Sequence, residues 1–136
     1  MDRPEIDWDD THAFTTGTVG PRGRRVFFLQ ARHTDQVVSL KLEKQQVAGL
    51  AEFLNKMLND LPPVPGGESD NAADEAKFDD PGEPDWVIGN LGVTYHQSSD
   101  RLVLFAEELV RDEDVQPAHA RFPLSRAQVV AFVARA

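Results

Sequence analysis

Leu42-Glu43-Lys44-Gln45-Gln46-Val47-Ala48-Gly49-Leu50 and Leu124-Ser125-Arg126-Ala127-Gln128-Val129-Val130-Ala131-Phe132 carry Leu, Gln and Val in one shared frame. Upstream, Gly17-Thr18-Val19-Gly20 is echoed by Gly89-Asn90-Leu91-Gly92, and Arg25-Val26-Phe27-Phe28 by Arg101-Leu102-Val103-Leu104. Each copy therefore reads as a glycine motif, an apolar strand, and a Leu-x-x-x-Gln-Val run that opens a helix. Such an internal repeat describes how a molecule is built and names no reaction.

Working outward, Phe14 to Val19 mixes Thr, Val and Phe as strands do, and Gly20-Pro21-Arg22-Gly23 supplies a turn. Arg24 to Gln30 reads as a buried strand, His33-Thr34-Asp35 as a turn, and Gln36 to Lys41 as a third strand with alternating character. From Glu43 to Asn59 the apolar residues Val47, Leu50, Ala51, Leu54, Met57 and Leu58 follow the spacing of an amphipathic helix. Pro62-Pro63-Val64-Pro65 ends it, because proline cannot continue the hydrogen-bond ladder. The second half repeats the order: Trp86 to Val93 running on toward His96, a turn at Gln97 to Asp100, then Arg101 to Leu109. A short strand from His119 to Pro123 and a helix from Ser125 to Ala136, with Ser125 as N-cap, complete it.

The expected fold is α+β: a duplicated βββα unit with an antiparallel sheet and two helices packed on one face. Short connections favour antiparallel pairing, and no βαβ crossover is evident. The expected divisions are an acidic N-terminal tail over 1–12, a first half over 13–60, an acidic mobile linker over 61–85, and a second half over 86–136. The broad apolar surface of the last helix suits either the sheet or a homodimer contact.

The net charge of −9 is unevenly placed. Residues 1–10 carry −4 and residues 60–85 carry −8, whereas 11–59 carry +4 and 86–136 carry −1. Local potential steers ligands more than net charge does, so an overall acidic chain is compatible with an anionic partner. The sequence has no Cys, hence no disulfide, thiol nucleophile or Cys metal ligand. With no apolar leader and no apolar run of about 20 residues, the expectation is a cytoplasmic protein away from membranes.

The run from Gly17 through Arg32, followed by Leu42 to Val47, resembles an uncharacterised bacterial family catalogued as domain of unknown function 3090. The resemblance extends through Ile88-Gly89-Asn90-Leu91-Gly92 and Phe105-Ala106-Glu107-Glu108 to the final helix. It implies an identity without an activity. Members of that family continue into a short Cys- and His-bearing tail of zinc-ribbon type. The zinc that this implies belongs to such a tail and to no residue of this sequence, for which neither cofactor nor metal is expected.

The strongest candidate site is the basic cluster Arg22, Arg24, Arg25, Arg32 and His33, with Lys41 nearby. Guanidinium forks match phosphate and carboxylate. About seven residues of strand would hold the two ends of this cluster more than about 20 Å apart, as two patches. The competing reading is arginines that are solvated or paired with the acidic linker. Gly17 to Gly23 leads into a strand and lacks Gly-Lys-Ser/Thr, so it reads as a hairpin and not a phosphate loop. Glu107 and Glu108 are adjacent on a strand and point to opposite faces; a Glu with His96 across the hairpin has poor register. His12, His33, His96 and His119 are scattered, and no nucleophile elbow accompanies Ser98-Ser99. Gln46 and Gln128 would hydrogen-bond the sheet and fix the helices. Trp8, set among Asp7, Asp9 and Asp10, is a candidate anchor for docking onto a partner. Together these point to a non-catalytic binding or adaptor domain for a small anionic ligand or acidic protein. The alternative is an enzyme or enzyme subunit acting on a phosphorylated small molecule, with Arg22, Arg24 and Arg25 as phosphate clamps and a general base from Glu107 or Glu108. Nucleic-acid binding ranks last, since no aromatic residues are interleaved with the arginines.

Overall fold

The computed structural model describes residues 4–62 and 77–136. Its elements are β1 (Ile6–Asp7), β2 (Ala13–Val19), β3 (Val26–His33), β4 (Gln36–Leu42), α1 (Lys44–Asp60), β5 (Trp86–His96), β6 (Arg101–Glu108), β7 (His119–Leu124) and α2 (Arg126–Arg135). The strands form one seven-stranded sheet in the order β1-β7-β6-β5-β4-β3-β2. Among the described residues the molecule is therefore mixed α+β, with two helices.

The sheet is not antiparallel throughout. β4 and β5 pair in parallel through Leu40↔Trp86 and Lys41↔Val87, and β1 pairs in parallel with β7. The reason lies in the connection: α1 carries the chain back, so β5 enters beside Leu40 and runs in the same direction as β4. β4-α1-β5 is a crossover unit that the run of short hairpins concealed.

Both helices begin with the repeated glutamine. Gln46 Oε1 accepts from the Glu43 backbone N–H at 2.7 Å, and Gln128 Oε1 accepts from the Ser125 N–H at 2.9 Å. Ser125 Oγ returns the bond by accepting from Gln128 N at 3.1 Å, a reciprocal capping box. Each glutamine also donates to distant backbone: Gln46 to the sheet, as expected, and Gln128 to the connection between β1 and β2. Gln46 Nε2 lies 3.3 Å from Gly89 O, and Gln128 Nε2 lies 2.8 Å from Thr11 O. The preceding Leu42 and Leu124 and following Val47 and Val129 are all buried, with Leu54 and Phe132 further along the helices fully enclosed. Burial of a side chain such as Leu54 contributes about 2 kcal/mol.

The first glycine of each repeated motif permits a close approach. A Cβ on Gly17 would lie 2.3 Å from Phe78 Cγ, and one on Gly89 would lie 2.9 Å from Leu109 Cα. Gly89 sits where the β5–β6 register slips between Ile88 and Asn90.

Residues 4–12 are not a tail. Ile6 is 2 % exposed and pairs with Ala120, and Trp86 Nε1 donates to Pro4 O at 2.9 Å. β1 and β2 lie at opposite ends of the strand order yet are close in the chain. In a flat sheet, six spacings of about 4.8 Å would part the edges by about 29 Å, whereas the six peptide units from Asp7 to Ala13 reach at most about 21 Å. The sheet must curl. Accordingly the rings of Phe14 on β2 and Phe122 on β7 approach to 6.2 Å.

Of the expected mobile linker, residues 63–76 lie outside the described residues. Residues 77–85 are seated on the outer face of β2–β4. Sequence composition concealed this because the segment has one aromatic anchor, Phe78, whose ring lies 6.2 Å from that of Phe28.

The β5–β6 hairpin is tied to α2 by a three-residue cluster. Tyr95 Oη donates to Asp100 Oδ1 at 2.7 Å and Arg126 Nε donates to the same oxygen at 3.0 Å. Burial pushes the Asp100 carboxyl up, but the bonds from Tyr95 and Arg126, with the charges of Arg126 and Arg101, outweigh it and hold it below its usual range. A carboxyl lowered by folding adds stability above its unfolded value, near pH 4, and loses it as pH falls through the folded value. Asp100→Asn, which tolerates the φ of +52° at this position, should therefore lower the urea midpoint at pH 7. The gap between the two proteins should shrink as the pH falls below about 4; a gap that stays constant with pH would refute the linkage.

Candidate functional site

The β2–β3 turn is shaped by two glycines in the left-handed region, Gly20 (φ +105°) and Gly23 (φ +89°). A Cβ on Gly20 would lie 2.8 Å from Arg24 O, so only glycine fits the turn that Arg24 N closes onto Pro21 O at 2.9 Å. The turn delivers Arg22 and Arg25 to an open groove of about 620 Å³, lined also by Gly23, Phe27 and Lys44. Lys44 arrives from a different element: Leu42 pairs with Phe27 across β3–β4, and α1 begins two residues later. The positive end of the α1 dipole adds to the potential there. Among the described residues, Arg22, Arg25 and Lys44 form no ion pair. Arg24 is exposed on the same turn but does not line the groove.

Arg32 and His33 lie at the other end of β3, as the strand length requires. Arg32 is ion-paired with Asp79, so for this arginine the pairing with the acidic segment holds. His33 stacks on Trp8 at 5.3 Å and on His12 at 4.7 Å, and its Nδ1 is enclosed without a hydrogen-bond partner. His12 Nδ1 accepts from Thr34 N at 2.8 Å.

Trp8 is not available for docking. It is 8 % exposed, meets Phe122 edge-on at 5.3 Å, and donates from Nε1 to Gln36 Oε1 at 3.2 Å. Its acidic neighbours gave it the look of an exposed anchor. Asp7 and Asp10 instead face Arg121 (3.1 Å) and Arg101 (3.9 Å).

On β6, Glu107 and Glu108 diverge as adjacent strand residues must. Glu108 is buried, and its Oε1 accepts from Ala118 N at 3.0 Å. Glu107 accepts from Asn90 Nδ2 at 2.8 Å and meets His119 Nε2 at 3.2 Å, with Glu5 Oε2 3.5 Å from the other ring nitrogen. The bond from Asn90, then that from His119, holds the Glu107 carboxyl below its usual range. The partner histidine is thus His119, directly opposite in the β6–β7 register, and not His96. Sequence order alone did not supply that register. Among the described residues no three His, Asp or Glu side chains converge on a metal-binding geometry, and no helix is long and apolar enough to cross a membrane.

The chain belongs to the family described as a protein of unknown function (DUF3090), whose model matches residues 6–136. No curated protein and no solved structure matches it.

Proposed function

We propose that this member of a family without an assigned activity is a binding domain, and that the groove of Arg22, Arg25 and Lys44 holds a small anionic ligand. One observation carries the reading: Arg22 and Arg25 from the turn and Lys44 from α1 line one concavity that no acidic residue lines, and among the described residues they form no ion pair. Like charges gathered without a partner repel one another, and a phosphate or carboxylate would relieve that repulsion. A groove of about 620 Å³ lies within the usual range for small-molecule sites, and Phe27 gives it an apolar wall. The acid–base pair Glu107–His119 belongs to the other half of the sheet, away from the cations, which favours binding over turnover. The same reading takes the two halves as copies of one βββα unit, supported by the matched glycines and the matched capping glutamines.

The test is calorimetric titration of pyrophosphate into the wild type, Arg22→Ala and Arg25→Ala. Each substitution should weaken binding about 10- to 100-fold, the value of a hydrogen-bonded charge. Stability should change by less than about 0.5 kcal/mol, because the arginines are exposed. Absence of saturable binding by the wild type, or equal binding by all three proteins, would overturn the reading.

A further inference from the structure

Residues 77–85 cross the outer face of β2–β4 in the manner of a bound peptide. Phe78 lies against Gly17, where any side chain would collide with it, and beside Phe28. Gln30, 2 % exposed on β3, turns its amide to the Asp79 main chain: Asp79 N donates to Oε1 and Nε2 donates to Asp79 O, both at 2.9 Å. Arg32 pairs with the Asp79 carboxylate. At the far end Asp85 N donates to Ser39 O at 2.8 Å and Asp85 Oδ2 accepts from Ser39 N at 2.9 Å. An aromatic anchor in a pocket, main-chain bonds from a buried amide, and a charge pair that sets register are the components of extended-peptide recognition.

The segment itself is lightly held. Phe78 is only half-buried, and Asp79, Asp80, Gly82 and Glu83 are exposed. A stretch with one aromatic anchor and hydrogen bonds to the sheet at only its two ends, Asp79 and Asp85, opens more readily than the core strands beneath it.

We propose that the outer face of β2–β4 is a docking groove for an extended segment of a partner protein that leads with an aromatic residue and follows with aspartate. Residues 77–85 are its internal occupant and competitor. A tethered segment has an effective concentration of order 1 mM. If the same segment binds freely with a dissociation constant of order 10 µM, the internal copy fills the groove about 99 % of the time. An external peptide then binds about 100-fold more weakly than to an open groove. This site is separate from the Arg22–Arg25–Lys44 groove, so the two readings stand or fall independently.

The experiment titrates a fluorescent peptide of residues 77–85 into wild type and into Phe78→Ala/Asp79→Ala, which weakens the internal copy. The double variant should bind at least 10-fold more tightly than wild type, and adding Gly17→Leu should abolish binding by filling the anchor pocket. A folded double variant that binds no better than wild type would overturn the proposal. Hydrogen exchange on the wild type tests it without any variant. The Asp79 amide should exchange at least 100-fold faster than the Leu29 and Leu40 amides; equal protection would mean that the segment does not open, and the proposal falls.

Discussion

Trp8→Ala should remove about 3–5 kcal/mol of stability, the range for truncating a buried Trp. A domain of ordinary stability has about 5–15 kcal/mol in all, so the variant should unfold at a much lower urea concentration, and a marginal wild type would be lost. The magnitude follows from position. Residues 8–12 join the two far edges of the curled sheet, and Trp8 packs on β3 through His33, on β7 through Phe122, and on the start of β4 through Gln36. Trp8→Phe keeps the ring contacts and loses the Nε1 bond, and should cost about 1–2 kcal/mol. A side chain that waited for a partner would give the opposite result, with Trp8→Ala melting like wild type.

Gln128→Leu should cost about 2–4 kcal/mol, measured by urea unfolding. The substitution orphans the Ser125 N–H at the start of α2, worth about 1 kcal/mol as a cap. It also strands the Thr11 carbonyl, and a buried unpaired group costs about 1–3 kcal/mol. Gln128 is 8 % exposed, and its bond to Thr11 measures 2.8 Å. The equivalent Gln46→Leu should cost only about 1 kcal/mol, since Gln46 is half-exposed and its sheet contacts stretch to 3.3 and 3.5 Å. Gln128→Glu separates the two roles: a carboxylate can still accept from Ser125 but cannot donate to Thr11. It should therefore fall at least as far as the loss of the Thr11 bond alone. Equal costs for Gln46→Leu and Gln128→Leu would show that the capping bond dominates both.

Much of the local structure was legible. The helix starts could be placed because Leu, Gln and Val recur at fixed offsets. The β2–β3 turn could be placed because its glycines take dihedrals that other residues avoid. β3 runs to His33, past the expected Gln30, because the turn is confined to Thr34 and Asp35. β1 could not be read from two residues inside an acidic run, where Ile6 alone hints at burial. Of the proposed anion site, Arg22 and Arg25 were legible as turn arginines. Lys44 was not, because only the Phe27↔Leu42 pairing brings the start of α1 beside the turn. The seating of the acidic segment is hidden in the sequence for a related reason. Composition reports that 77–85 has little to bury, but not that Gln30 and Gly17 were placed to receive it.

The sequence by itself determined the elements from β2 to α2: their periodicity, their caps and their turns are interactions within a few residues, and such interactions leave a local pattern. Only the tertiary structure decided the order and direction of the strands, the closure of the sheet by Trp8, the seating of residues 77–85 and the meeting of Lys44 with the turn arginines. Those contacts join positions as distant as Ile6 and Ala120. They form because burying apolar faces and satisfying backbone groups is a condition on the whole chain at once, and no short stretch records it.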